Sequence, residues 1–385
     1  MVVVNAVDAK YVLDSRKEKT ISVKIRTSIG TFSASSPNGK SRGKHEAKPY
    51  KKNLDQDIKA LKQFSDYFSE EKIEKFDDLR RIEDILEGHV GANSFFALES
   101  AILKAMAREQ KKQIWQVINP NAKKFPRLVG NCIGGGKHTH ANKKPDFQEF
   151  LLIPKTKSVG QAWEKNKKSK KKAEELLIQK DKNFQSKKND EDAWITELNE
   201  KEILDLLKQL KIPLGLDVAA SSFYKRKKYH YENPMLKRTE KEQMGYLSNL
   251  IKNFDLVYIE DPFEEEDFEN FSKLLDKIPN SLIVGDDLTT TNPKRFENAL
   301  EKKSINAIIV KPNQIGSLIK TKEVCRIAKK NNIKIVFSHR SGETNEDILA
   351  DLAFGFGADF FKCGITGKER EVKIKRLVEI ERKLR

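Results

Sequence analysis

The sequence predicts an α/β protein in which a smaller α+β domain precedes a (β/α)-barrel. Three observations carry that prediction. The chain has 385 residues, too many for one small core and enough for a domain of about 100 to 150 residues beside a barrel of about 250. Its second half repeats one rhythm: short apolar runs, each closing on a polar or ionisable side chain, with helical sequence between them. Its first part instead has strand periodicity followed by helical periodicity, the mark of a separate α+β unit.

Taken in order, apolar and polar residues alternate through residues 20–26 and 30–35, with Ser28-Ile29-Gly30 as the turn between them. That alternation predicts a β-hairpin or meander. Over residues 53–118 the spacing becomes helical, with Leu54, Ile58, Leu61 and Phe64 on one face and later Phe95, Leu98, Ile102 and Met106. The first domain is expected to span residues 1–125, ending near Phe125-Pro126, and the second residues 126–385. Between strands and helices lies Ser36-Pro-Asn-Gly-Lys-Ser-Arg-Gly-Lys-His-Glu-Ala47, whose two glycines and proline deny it either period. It is expected to be an exposed, mobile loop.

In the second half, Leu214-Gly-Leu closes on Asp217, Leu256-Val-Tyr-Ile on Glu260 and Leu282-Ile-Val-Gly on Asp286. Ala307-Ile-Ile-Val then closes on Lys311, Ile333-Lys-Ile-Val-Phe-Ser on His339, and Ala358-Asp-Phe-Phe on Lys362. After the first interval these ends lie about one strand plus one helix apart, so the pattern predicts a barrel with its chemistry at the C-terminal rim. An open doubly wound sheet would put phosphate on a glycine-rich first turn, and neither Gly-x-Gly-x-x-Gly nor a Walker sequence is present. Gly134-Gly135-Gly136 is followed by histidines instead of a helix start, and reads equally as a tight turn or a binding loop.

Composition adds one unusual feature. Against 57 Asp plus Glu stand 74 Lys plus Arg, a net charge of +17, enough to hold a polyanion such as nucleic acid by its phosphates. Residues 155–190 alone carry twelve Lys against five acids. The expectation is a solvated helix and loop surface remote from the site, since no aromatic-basic signature, zinc finger or helix-turn-helix accompanies it. Cys132, Cys325 and Cys363 are too few and too widely spaced for a disulfide framework or a zinc site. No signal-peptide order and no bilayer-length apolar run is present, so a cytoplasmic location is expected.

Asp217, Glu260 and Asp286 on three adjacent strand ends would converge as a hard oxygen site suited to Mg²⁺. Lys311 and Lys362 would face the same space, where desolvation and a second cation lower a lysine toward a useful general base. Arg340 and Ser341 would supply a fork and a hydroxyl for a phosphate. Together these groups describe removal of a proton next to a carboxylate.

At this point a resemblance becomes specific. Ser338-His-Arg-Ser-Gly-Glu-Thr344 and Lys311-Pro-Asn-Gln-Ile-Gly316 closely resemble the signature region of the enolase family. The likeness continues through Leu13-Asp-Ser-Arg16, Gly91-Ala-Asn93, Gln148-Glu-Phe150, Leu216-Asp-Val-Ala-Ala-Ser221, Ile259-Glu-Asp-Pro262 and Gly285-Asp-Asp-Leu288, nearly the whole chain. It implies a modified (β/α)8 barrel with an early antiparallel strand. The implied activity is reversible Mg²⁺-dependent dehydration of 2-phosphoglycerate to phosphoenolpyruvate, as in glycolysis and gluconeogenesis. It further implies a homodimer or higher homo-oligomer and two Mg²⁺ per site, the second arriving with substrate.

Carried over by residue, the resemblance makes Asp217, Glu260 and Asp286 ligands of the first metal, Ser41 a loop ligand of the second, and Lys311 the base. Glu191 matches the acid that protonates the leaving hydroxyl, with Gln148 and Glu149 beside it, while Lys362 holds the substrate carboxylate. His339, Arg340 and Ser341 match substrate-contacting positions. Of two histidines in Gly136-Lys-His-Thr-His-Ala141, alignment on the glycines selects His138 and alignment on Gln148-Glu149 selects His140; His140 is expected to close over the substrate.

The chain also departs from the family pattern. Pro37-Asn-Gly-Lys-Ser-Arg-Gly43 adds two cations to the loop, Lys17-Glu-Lys19 replaces Gly-Asn-Pro, and Asn189-Asp-Glu-Asp-Ala193 replaces glycines around Glu191. Asp192 is expected to raise the Glu191 pKa. Two alternatives stay open at this stage: another carboxylate substrate on the same scaffold, or nucleic-acid binding as a sole or secondary role.

Overall fold

The computed structural model describes residues 1–40 and 42–384. The alternating residues of the first segment form an antiparallel meander of β1 (Ala6–Leu13), β2 (Lys19–Thr27) and β3 (Gly30–Ser35). Thr27 pairs with Gly30, whose φ of +138° suits a residue without Cβ. Helices α1 (Leu54–Gln63), α2 (Leu79–Leu86), α3 (Ala92–Glu109) and α4 (Ile114–Ile118) follow. Asn53 caps α1 by accepting from Gln56 N at 2.9 Å. The mostly buried α3 lies across β2 and β3, against Ile21, Val23 and Ile25.

The second unit opens with β4 (Arg127–Gly134), β5 (Glu149–Leu152), α5 (Val159–Lys180), β6 (Trp194–Ile195), α6 (Glu200–Lys208) and β7 (Leu214–Asp217). A small sheet of β8 (Tyr224–Lys225), β9 (Lys228–Glu232) and β10 (Met235–Arg238) precedes α7 (Glu240–Phe254). Strands β11 (Tyr258–Glu260), β12 (Leu282–Gly285) and β13 (Ala307–Val310) then alternate with α8 (Phe268–Lys277) and α9 (Pro293–Glu301). The chain continues through α10 (Pro312–Ile315), α11 (Leu318–Lys330), β14 (Lys334–Ser338), α12 (Ile348–Gly355), β15 (Phe360–Gly364) and α13 (Lys368–Leu384).

The ring runs β4-β5-β7-β11-β12-β13-β14-β15 and closes because β15 pairs with β4 in parallel, while β6 adds to β4 outside it. Only β5 is reversed, antiparallel to both β4 and β7. That reversal matters chemically. The first residue of β5, Glu149, sits opposite Gly134 and Asp217, at the rim where the other strands end.

Side chains alternate between two cores, as strand geometry requires. Val129, Leu151, Tyr258, Ala307, Ile309 and Val336 form one small cluster, while their neighbours Ile308 and Val310 join the larger one. All three cysteines are free and buried, their thiols pushed up to about 12 by burial. Among the described residues no helix is long and apolar enough to cross a membrane.

Two expectations are corrected. The described residues of the loop at 36–47 are only partly exposed: Arg42, Lys44, His45 and Ala47 face solvent, but Ser36 and Gly43 are buried, and Asn38 and Gly342 exchange backbone hydrogen bonds of 2.7 and 2.9 Å. Further bonds run from Ala47 N to Gln314 O at 2.9 Å and from Asn313 Nδ2 to Pro37 O at 3.1 Å. The barrel's own loops supply backbone partners that the loop cannot make internally. The lysine-rich segment is not uniformly solvated either, because Lys170 is buried within α5.

Asp57 ties the stretch after the loop to α3. Fully buried, it accepts from Lys51 N at 3.0 Å, Gly91 N at 2.7 Å and Ser94 Oγ at 2.6 Å. Asp57→Ala leaves these donors unsatisfied and is expected to cost about 2–4 kcal/mol, read by urea denaturation. A loss below about 0.5 kcal/mol would show that water replaces the carboxylate.

Candidate active site

Parallel pairing puts Asp217 level with Glu260 and places Asp286 one step past β12. Into this rim projects Lys362, level with Ser338 inside β15. Its ammonium lies 2.8 Å from Asp217 Oδ2, 2.9 Å from both Glu260 oxygens and 3.2 Å from Glu149 Oε1. Burial lowers this lysine, but Asp217, Glu149 and Glu260 outweigh burial and hold it well above its usual range. Lys311 makes a close ion pair with Asp286. Burial lowers Lys311 too, yet Asp286 and then Glu260 leave it raised, opposite to the expected direction, because the neighbouring carboxylates together exceed the desolvation penalty.

The carboxylates remain crowded despite these two cations. Burial, then Asp217, push Glu260 up to about 8. Such a crowd of hard oxygens on three neighbouring strands fits a divalent cation. Asp217, Glu260 and Asp286 do not themselves form a tight donor trio among the described residues. The sets with donor atoms all within 4.8 Å are Asp261–Asp286–Asp287 and His138–Glu149–Glu191. Lys362 stands between Asp217 and Glu260 while Lys311 draws Asp286 to β13, which separates the expected trio. Ser41 lies outside the described residues.

The second tight set builds the acid side. Glu191 is buried, with His138 Nδ1 3.3 Å from Oε1, His339 Nε2 3.4 Å from Oε2, and Asn131 Nδ2 donating to Oε2 at 2.9 Å. Burial raises Glu191, but His339 and His138 pull it well below the usual range. Burial lowers both imidazoles in turn, and an imidazole without its proton no longer holds Glu191 down. The set therefore shares its protons as a unit. Glu149, pushed well above its usual range by burial and then by Glu191, is its most proton-retaining member.

The expected effect of Asp192 is absent from this balance, because its carboxylate is turned to Lys170, Lys188 and Thr366. Gln148 Nε2 donates to Asp217 Oδ2 at 3.2 Å. Among the described residues Gln148 Oε1, Glu149 Oε2 and His339 Nδ1 are buried without hydrogen-bond partners, polar atoms that a ligand would satisfy.

Arg340 and Ser341 are buried at the same rim but already engaged. Arg340 Nη2 donates to both Glu46 oxygens at 2.9 and 3.0 Å, and Ser341 Oγ accepts from Lys40 N at 2.9 Å. Glu46, an anion from the loop, thus stands against the guanidinium. Sequence reasoning missed it, although an acid in a loop destined for an anion grip was the available signal. It also missed Asn131, Gln314 and Asp261. Gln314 Nε2 donates to Asp286 Oδ1 at 3.1 Å, while Asp261 accepts from the backbone N–H of Asp286 and Asp287 at 3.0 and 2.7 Å. Gln314 and Asp261 stand inside quoted motifs; Asn131 carried no signal.

His140 is exposed and points to the loop, its Nε2 2.6 Å from Lys40 Nζ, which also contacts Asp190 at 2.6 Å. His138, not His140, reaches the carboxylates. The turn spends its two extra residues after His138, so spacing from the glycines governs reach.

Acid–base groups facing a hard-oxygen rim across a barrel mouth, with a guanidinium for an anion beside them, place the chain among the metal-assisted lyases. Comparison with known proteins makes this specific. Residues 4–118 match the family model "Enolase, N-terminal domain" and residues 122–385 match "Enolase, C-terminal TIM barrel domain". The enolase of Pyrobaculum aerophilum is 33% identical, over 94% of this chain and 91% of its own. That of Methanosphaera stadtmanae is 34% identical over 99% and 97%, and that of Methanocorpusculum labreanum 34% over 97% of each. The chain belongs to the enolase family. Its activity is that of a phosphopyruvate hydratase, a hydro-lyase interconverting 2-phosphoglycerate and phosphoenolpyruvate with a divalent metal, generally Mg²⁺. Neither another substrate nor a nucleic-acid role is favoured.

The geometry ranks the two histidines. His138→Ala is expected to lower kcat about 10²-fold or more, and His140→Ala less than about threefold. The reverse ranking in a steady-state assay would return the closing role to His140.

Proposed function

We propose that Lys311 removes the C2 proton of 2-phosphoglycerate and that Glu191, sharing protons with Glu149, His138 and His339, protonates the departing hydroxyl. One observation carries this division. In the eight-membered ring, β13 before Lys311 and β5 with Glu149 lie four strands apart, on opposite sides of the mouth. Base and acid therefore approach a substrate between them from opposite faces, which suits elimination in two proton transfers.

Asp217, Glu260 and Asp286 would hold a first Mg²⁺, and a second would arrive with substrate, with Ser41 as a loop ligand by family likeness. When bound, the metal supplies positive charge against the enolate that forms as the proton leaves. Lys362 supplies a fixed ammonium for the substrate carboxylate, held in place by Asp217 and Glu260. Gln148 orients Asp217, and His339 offers the substrate its unpartnered Nδ1. Arg340 and Ser341 bind the phosphate, which displaces Glu46 from the guanidinium. With Asp286 serving as a metal ligand its hold on Lys311 would weaken, and burial would then lower the ammonium toward a working base.

Family membership supports a homodimer or higher homo-oligomer, a boundary between the two domains near residue 125, and a cytoplasmic location. The division of labour is tested by isotope exchange. Lys311→Ala is expected to lower C2-proton exchange and dehydration alike, each by about 10²–10⁴-fold, whereas Glu191→Gln loses dehydration but keeps exchange. Equal loss of both reactions in both variants would contradict the assignment.

A further inference from the structure

Residues 189–193 hold Glu191 at the rim, and their surroundings give a purpose to one lysine of the basic segment. Lys170 is 3% exposed. Its ammonium is bound by the backbone carbonyl of Asp192, by the Asp192 carboxylate at 3.1 Å, and by the Thr366 hydroxyl. The Trp194 ring centroid lies 5.3 Å away, and Trp194 Nε1 donates to Lys170 O at 3.1 Å. Burying an ammonium is costly unless charge and hydrogen bonds compensate. A lysine serving only solubility has no reason to be there.

Asp192 is as unusual as its partner. Its φ is +63°, a left-handed conformation that glycine adopts without strain and an aspartate does not. Glycine is what the family pattern carries at this position. Here the side chain that replaces it is anchored by three residues: Lys170 of α5, Thr366 after β15, and Lys188 at 3.2 Å on the same segment. The rest of the loop is pinned from within, since Asn189 Oδ1 accepts from Glu191 N and Ala193 N, each at 3.0 Å. Arg370 Nη2 donates to Asp190 O at 3.0 Å.

We propose that Lys170 is a positioning residue which, paired with Asp192, clamps the loop so that Glu191 faces His138, Glu149 and His339 while the Asp192 charge is kept off the acid. The pair does by ionic locking what glycines leave to loop flexibility. This inference rests on Glu191 being the acid of the reaction, so its test includes that acid as a reference.

The experiment measures dehydration and C2-proton exchange in the full-length, Mg²⁺-loaded protein for Lys170→Met, Asp192→Gly, the double variant and Glu191→Gln. Lys170→Met removes the buried charge at nearly constant volume and leaves Asp192, one residue from Glu191, with the more exposed Lys188 as its remaining cation. It is expected to lower dehydration at least about tenfold more than exchange, with KM little changed. The double variant, which restores a glycine and removes the stranded carboxylate, is expected to recover most of that loss, a non-additivity that two independent structural defects would not give. If Lys170→Met does not fold, Asp192→Asn carries the same selective loss, since it keeps the shape of the loop and removes the ion pair. A Lys170→Met protein with unchanged dehydration, an equal fall in both reactions while Glu191→Gln separates them, or a double variant no better than the single would overturn the clamp. Should Glu191→Gln fail to separate the reactions, the acid assignment falls, and recovery in the double variant alone decides whether Lys170 and Asp192 act as a pair.

Discussion

The constraint on which the site depends is charge crowding at the barrel rim. Four carboxylates, Glu149, Asp217, Glu260 and Asp286, are buried at one end of an eight-stranded ring, and the protein's own cations cannot satisfy them all. Lys362 is shared among three of them and Lys311 is taken by the fourth. Burial raises carboxylates so placed and mutual repulsion adds to it, so that burial and then Asp217 push Glu260 up to about 8. In the proposed reading the same crowd gives the site its affinity for a divalent cation, which offsets the repulsion.

Two features of the chain turn that crowd into an asymmetric site. Reversal of β5 brings Glu149 to the rim from a strand whose C-terminal end faces away, adding a carboxylate that a uniform barrel would lack there. The 36–47 loop then crosses from the first domain onto the barrel and sets Glu46 against Arg340. In the proposed reading Arg340 is thus a preformed anion grip, and Glu46 spares its buried guanidinium from standing unpaired.

Much of this was legible in the sequence, for identifiable physical reasons. Strand ends repeat at a fixed interval and carry polar side chains, so Asp217, Glu260, Asp286, Lys311 and the run from His339 to Ser341 declared themselves. The β2–β3 pair and α3 followed from period alone. What stayed hidden depends on partners distant in sequence. The direction of the Lys311 shift is set by Asp286 and Glu260 together, and the choice of His138 by where a turn absorbs its extra residues. Likewise the burial of Lys170 is set by Asp192 and Thr366, which no count of lysines along α5 can reveal. Charge runs read as surface because most of their members are; one member in the wrong environment is visible only in three dimensions.

The central claim, that the rim carboxylates are held together by cations and that metal and Lys362 share the task, is tested most directly by thermal unfolding of Lys362→Met with chelator and with Mg²⁺. The variant leaves Asp217, Glu260 and Glu149 without their ammonium. The account predicts a lower Tm than the parent protein in chelator, and a larger rise in Tm on adding Mg²⁺ than the parent shows, because a ligand stabilises in proportion to what it binds only in the folded state. A variant whose Tm responds to Mg²⁺ no more than the parent's would contradict it.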